Sequence, residues 1–222
     1  MKVCILGSNG FIGKNLIASN PDWIGVTRQQ LDLTVQKDVD TFFEKNVFDV
    51  VIHCAVIGGS RLHRDSGEVF YKNLIMFENV VRHLPKIGKL IYFSSGAART
   101  GNPPTDPYGF SKWLIDKRIS SLGENVYSLC IWGCYGPGEV ETRFSAICKN
   151  KGHVTIQKDR YFDFVDVAKV VKVVEKYCIK GGQKFSNLVD QEIEKMKLSE
   201  WAKHFGATFT IIEEGLDDPY TS

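Results

Sequence analysis

A doubly wound, mostly parallel α/β sheet is the fold class the sequence predicts, and three observations predict it. A short apolar run at Val3, Ile5 and Leu6 passes at once into glycines at 7, 10 and 13, and then into apolar residues at helical spacing. Asp49 to Ala55, DVVIHCA, is a near-continuous apolar segment of the kind buried on both faces of a parallel sheet. Strand-like runs then alternate with helix-like patterns along most of the chain.

The first of these segments reads as strand, tight turn and helix. Gly7 lets the chain turn sharply, Gly10 lets the backbone approach a pyrophosphate, and Gly13 lets the helix sit close to the strand. Ser8, Asn9, Phe11 and Ile12 complete a turn whose first helical amides face phosphate groups, so a dinucleotide site of the Rossmann type is expected over a purely structural turn. Asn20-Pro21-Asp22 is a turn, and Trp23 to Thr27 is the second strand, ending at Arg28. An acidic residue there would accept hydrogen bonds from ribose hydroxyls, whereas a cation accommodates the extra phosphate of NADP. Thr27 and Arg28 therefore favour NADP(H), with NAD(H) as the alternative cofactor and a solvated surface cation as the plainer reading of Arg28. Asp32 and Leu33 border the adenine, and Val39 to Phe43 suggests a short helix.

The third strand, Asp49 to Ala55, carries His53 as a packed, hydrogen-bonded strand residue without a catalytic role. Cys54, Ala55 and Val56 open the loop Val56 to Ser60 at its carboxyl end, where open sheets bind ligands. Arg61, His63, Arg64 and Asp65 follow, facing substrate or water. Phe70 to Leu84 is a long helix ended by Pro85, and Lys89 to Phe93 is a strand that empties into Ser94, Ser95 and Gly96. A helix from Tyr108 to Leu122 and a strand from Val126 to Trp132 come next, the strand ending in Gly133 to Gly138. Beyond that point the pattern loosens into a short helix Phe144 to Cys148, a short strand Val154 to Ile156, a helix Val165 to Tyr177 and a strand Phe185 to Leu188. An amphipathic helix over 196–205 and a small strand Phe209 to Ile212 close the chain, while Gly215 to Ser222 has little to fold around. The expected division is a dinucleotide domain over 1–134, completed by 163–188, and a small, abbreviated C-terminal substrate lobe from 135–162 and 189–222.

At 222 residues the chain can bury a full α/β core with space for only a small second lobe. Lys plus Arg number 28 against 26 Asp plus Glu, a net charge of +2, and the nearest thing to a charge run is the mixed stretch Gln191 to Lys197. Nucleic acid is not implied by that balance. The six cysteines form no CxxC pair; Cys130 and Cys134 lack a second close pair, so buried thiols and no metal are expected. No signal peptide precedes the first strand, and no apolar run approaches the roughly 18 residues of a membrane span, so a soluble cytoplasmic protein is expected.

Tyr108 and Lys112 stand one helical turn apart, hence on one face. An ammonium beside a phenol favours the phenolate and lowers its pKa, which makes the tyrosine a usable proton donor and acceptor near neutral pH. Ser95, at the end of the fourth strand, can bind the same carbonyl oxygen. The pair means little alone, but after a dinucleotide turn and a serine-ended strand it becomes specific.

With these segments in order, the chain resembles the extended short-chain dehydrogenase/reductase family, the NAD(P)-dependent epimerase and dehydratase group acting on nucleotide sugars. The resemblance rests on Gly7 to Gly13, VIHCA at 51–55, YFSSGA at 92–97, YGFSK at 108–112, CYGPG at 134–138 and RYFDFVDVAKVV at 160–171. It implies Tyr108 as acid/base, Lys112 on the nicotinamide ribose and Ser95 on the C4 oxygen. It also implies Asn73, Tyr135 and Pro137 at the cofactor, and Ser94, Gly96, Gly133, Arg143 and Arg160 around the sugar nucleotide. Within the group, Thr27-Arg28 followed by QQLDL looks most like the branch that reduces 4-keto-6-deoxy sugars with NADPH, the GDP-fucose synthase and dTDP-4-dehydrorhamnose reductase type. Gly96 and Ala97 stand where a dehydratase carries an acid, which speaks against dehydration. Gly133 stands where many relatives have asparagine, and only thirteen positions separate Ser95 from Tyr108. The alternatives are a redox-neutral 4-epimerase and a non-catalytic dinucleotide-binding protein. By the same resemblance, the helices near 70–84 and 108–122 would pair two copies as a homodimer.

Overall fold

Each long apolar run becomes a strand of one sheet in the computed structural model, which describes residues 1–60, 62–190 and 195–222. β1 (Val3–Leu6) leads through the glycine turn into α1 (Phe11–Ser19). β2 (Ile24–Val26), α2 (Gln36–Glu44), β3 (Phe48–His53), α3 (Gly67–Val81), β4 (Ile87–Ser95), α4 (Pro107–Ser120) and β5 (Val126–Ile131) follow in alternation. The remainder comprises β6 (Cys134–Tyr135), α5 (Phe144–Lys151), β7 (His153–Asp159), β8 (Tyr161–Phe162), β9 (Val165–Asp166), α6 (Val167–Lys180), β10 (Phe185–Leu188), β11 (Met196–Lys197), α7 (Leu198–His204) and β12 (Thr208–Leu216). Arg61 and the start of the mixed run at Gln191 lie outside the described residues.

The six-stranded sheet runs β2-β1-β3-β4-β5-β10 with every neighbouring pair parallel. β2 lies on one side of β1 and β3 on the other, so the connections leaving β1 and β3 diverge and open a crevice at the strands' carboxyl ends. Alternate residues feed two cores: Leu6, Val51, Leu90, Phe77 and Ile115 on one face, Ile5, Ile52, Ile91, Val170 and Val174 on the other. Both faces of β1 and β3 are therefore covered, which is why their sequences read as unbroken apolar runs. Each such side chain contributes on the order of 1.5–3 kcal/mol relative to exposure.

A third, largely aromatic cluster joins Phe162, Phe164, Trp201 and Phe205 to Val154 and Ile156 beside the carboxyl end of the sheet. The segment from Gly215 onward, expected to lack structure, is held by main-chain pairing. β12 extends through Leu216 parallel to β7, Asp217 N donates to Asp159 O at 2.7 Å, and Tyr220 N donates to Tyr161 O at 2.9 Å. The cysteines are all free, five buried and Cys54 half-buried. Among the described residues no helix is long and apolar enough to cross a membrane.

Candidate active site

The glycine turn is shaped by close backbone contacts. Gly7 has φ +82°, and a Cβ there would lie 2.7 Å from Ala55 N; one on Gly13 would lie 2.5 Å from Gly7 O. The turn is thus pressed between the end of β3 and the start of α1, as the spacing requires. Gly10 caps α1 in an extended conformation with no side-chain bond to the first turn, leaving a helix N-terminus available to an anion. A cleft of about 1130 Å³ opens there, lined by Gly7, Asn9, Gly10, Phe11, Ile12 and Gly13, then by Arg28, Asp32 and Leu33, and by Cys54, Ala55 and Val56. A glycine cradle at a helix N-terminus without a side-chain cap, with a cation beyond it, fits a phosphorylated dinucleotide. Arg28 is poised by Asp32, whose carboxylate lies 3.3 Å from the guanidinium. Hydrogen bonds from Thr34, and then the Arg28 charge, hold that carboxyl below its ordinary range. Ser8 departs from expectation: it is buried outside the cleft, its N–H donating to Val26 O and its side chain packed toward Gly25.

At the other end of the cleft stand Ser95, Tyr108 and Lys112. Asp106 Oδ1 accepts from Gly109 N at 2.7 Å and Pro107 occupies the first turn, so α4 starts with Tyr108 beside the end of β4. Lys112 is 3% exposed; its Nζ donates to Phe93 O at 2.6 Å and lies 4.5 Å from the Tyr92 ring centre and 5.7 Å from that of Tyr108. Burial pulls the Lys112 pKa down to about 8, against the Asp116 charge. The Tyr108 phenol is not lowered as the Tyr-x-x-x-Lys spacing suggests. Burial pushes it up to about 12, with the Ser95 hydroxyl pulling the other way; the Lys112 ammonium is bonded to Phe93 O and lies against the Tyr92 ring. His53, 2% exposed against Phe77 and Tyr92, is brought down to about 4 by burial and is neutral at pH 7.

Asn73 lies behind the cleft. Its Oδ1 accepts from Ile57 N at 2.9 Å, and its Nδ2 donates to Ile57 O at 2.9 Å and to Ser111 Oγ at 3.2 Å. Ser111 Oγ in turn donates to Tyr108 O at 2.7 Å. This chain of bonds clamps the loop after β3 to α4, and Gly59 of that loop packs on the Tyr108 ring, where a Cβ would stand 2.8 Å from Cζ. Asn73, expected at the cofactor, is absent from the cleft lining, and its amide bonds to Ile57 and Ser111. Asn73→Ala is expected to cost about 1–3 kcal/mol, since buried partners are left unpaired, and denaturant unfolding measures it.

Several other expected contacts are redistributed. Ser94 borders the cleft, but its hydroxyl donates to Asp116 Oδ2 at 2.8 Å, in a buried network with Ser128 and Arg99 that ties α4 to the sheet. Gly96 is covered rather than lining: a Cβ on it would lie 2.2 Å from Trp132 Cε3 and 2.8 Å from Tyr220 Cζ. Gly133 does line the cleft, with Phe162 and Phe164 filling the space beside it. Arg143 also lines it, 5.7 Å from the Phe11 ring centre. Arg160 is turned outward into an ion pair with Asp217. Tyr135 joins the aromatic cluster, 4.9 Å from Phe205, and Pro137 stands outside the cleft, its carbonyl accepting from Asn15 Nδ2 at 2.9 Å. His63, Arg64 and Asp65 line the cleft as expected.

Sequence reasoning missed the aromatic wall of Trp132, Phe162, Phe164 and Tyr220. The alternation of Phe162 and Phe164 was a usable signal for one strand face; nothing local marked Tyr220.

Three comparisons bear on this arrangement. The sequence pattern described as "NAD dependent epimerase/dehydratase family" matches residues 3–180. A stretch of 111 residues is 33% identical to Probable UDP-arabinose 4-epimerase 3 of Arabidopsis thaliana, covering 42% of this chain and 26% of that protein, so the match spans about a quarter of the curated relative. In three dimensions the chain resembles dTDP-4-dehydrorhamnose reductase from Bacillus anthracis in complex with NADP, at TM-score 0.82 and 18% identity, over 98% of this chain and 89% of that one. It likewise resembles a GDP-L-fucose synthetase from Naegleria fowleri bound to NADP, at TM-score 0.78 and 15% identity, over 99% and 82%. At such identities the likeness is one of fold.

Proposed function

The chain belongs to the NAD dependent epimerase/dehydratase family, and from that premise we propose that it reduces a nucleotide-linked 4-keto-6-deoxy sugar with NADPH. The observation that carries this reading is the single cleft joining the glycine turn and Arg28 at one end to Ser95, Tyr108 and Lys112 at the other. NADPH, the cofactor held in the two similar solved structures as NADP, supplies a hydride to C4 of the sugar when bound. The first-turn amides of α1 bind its pyrophosphate and Arg28 its ribose phosphate. Ser95 and Tyr108 hold the sugar carbonyl oxygen between two hydroxyls, and Tyr108 gives its proton to the oxygen as negative charge develops there. Lys112, held by Phe93 O, anchors the nicotinamide ribose with its remaining N–H donors. The half-buried rings Phe70, Phe110 and Trp113, with exposed Tyr71, support pairing of two copies through α3 and α4.

The test is consumption of NADPH on adding dTDP- or GDP-linked 4-keto-6-deoxy sugars, one equivalent per sugar reduced. The match to a 4-epimerase favours a second reading, in which hydride returns to the opposite face and no net NADPH is consumed. A pH profile probes the ammonium. Reduction needs Lys112 charged, and its pKa is near 8, so the rate is expected to be flat below that value. Above it the rate should fall by about tenfold per pH unit as the proton is lost. A rate still flat at about pH 10 removes Lys112 from the mechanism.

A further inference from the structure

Tyr220 lies beyond the part of the chain that matches the family, yet its side chain lines the reacting end of the cleft. It is delivered there by two main-chain bonds and one from the main chain to a carboxylate. Tyr220 N donates to Tyr161 O at 2.9 Å, Asp163 N donates to Tyr220 O at 3.1 Å, and Ser222 N donates to Asp163 Oδ2 at 2.6 Å. The ring stacks on Phe162 at 4.9 Å and meets Trp132 edge-on at 5.0 Å. Its phenol end overlies Gly96, the residue after Ser95, in space that any side chain at position 96 would occupy. Gly133 gives Phe162 and Phe164 the same access on the neighbouring strand end. Two glycines thus admit aromatic rings directly against the backbone at the ends of β4 and β5, the first of which carries Ser95.

We propose that Tyr220 is a specificity-determining residue, its ring and that of Trp132 forming the surface on which the sugar ring lies when its carbonyl reaches Ser95 and Tyr108. This rests on the reading of the site as one for nucleotide sugars. The C–H bonds of a pyranose carry partial positive charge and pack against the negative face of an aromatic ring. The glycine turn and Arg28, the cofactor's end in the proposed function, lie apart from this wall, so Tyr220 is assigned to the sugar.

The experiment compares dissociation constants of NADP⁺-loaded protein for dTDP against dTDP-L-rhamnose, and for GDP against GDP-L-fucose. In the wild type at least one sugar-bearing nucleotide is expected to bind about tenfold tighter than its bare diphosphate, the difference reporting the sugar's contacts. Tyr220→Ala and Tyr220→Leu should bring that ratio close to one, Tyr220→Phe should preserve it, and affinities for NADP⁺ and the bare diphosphates should change by less than about twofold. Gly96→Ala, which pushes against Trp132 and Tyr220, should act like Tyr220→Ala. A ratio unchanged in the folded Ala and Leu variants, or a loss of NADP⁺ affinity in step with the sugar's, overturns the role of Tyr220 and leaves the reductase reading standing. A wild type that binds none of the four nucleotides overturns both.

Discussion

Tyr108→Phe is expected to lower turnover of a 4-keto sugar by about 10³-fold while leaving NADPH affinity nearly unchanged, the usual scale for losing a positioned general acid. The ring is held by contacts that phenylalanine keeps: Gly59 lies on its face, and Asp106 and Pro107 fix the start of α4. Only the hydroxyl that faces Ser95 is removed. Single-turnover measurement of NADPH oxidation separates chemistry from binding. Turnover retained within about threefold would falsify the assignment of the proton to Tyr108. Burial pushes the phenol up to about 12 in the free protein, so it carries its proton at neutral pH.

The second large effect is expected from Arg28→Asp. The guanidinium is 63% exposed at the rim of the cleft and steadied by Asp32, so under the proposed reading it would meet a ribose phosphate as a charge-assisted donor, a contact of about 1.5–3 kcal/mol. Replacing it by a carboxylate removes that contact and sets two acids against the phosphate, while offering NADH's ribose hydroxyls an acceptor. The preference for NADPH over NADH should fall by roughly a hundredfold or more, and fluorescence titration with the two cofactors measures it. An unchanged ratio returns Arg28 to the status of a solvated surface cation.

Much of the sheet was legible because its strands are buried on both faces. Val50, Val51 and Ile52 have no solvent side to encode, so their run is apolar throughout and its type is plain. The cofactor end was legible for a different reason: Gly7 and Gly13 are demanded by contacts within a few residues of themselves or with the adjacent strand. Residues that stand outside the cleft lining shared the opposite property. Arg160 is decided by Asp217, Tyr135 by Phe205, and Asn73 by Ile57 and Ser111, partners whose positions depend on how the lobe and loops close. β12 leaves Ile211 and Ile212 exposed and is fixed by pairing with β7 more than fifty residues earlier, so no local periodicity announces where it leads. The spacing gave the distance from Tyr108 to Lys112, but neither the burial that raises the phenol nor the carbonyl of Phe93 that accepts from the ammonium.

The order in which the cleft's walls occur along the chain has a consequence for synthesis. The glycine turn, Arg28 and the end of β3 lie within the first 56 residues, whereas Trp132, Phe162, Phe164 and finally Tyr220 come later. A ribosome therefore releases the glycine-turn half of the crevice well before its aromatic half, and the last wall closes only when the segment after β12 has emerged and paired with Tyr161.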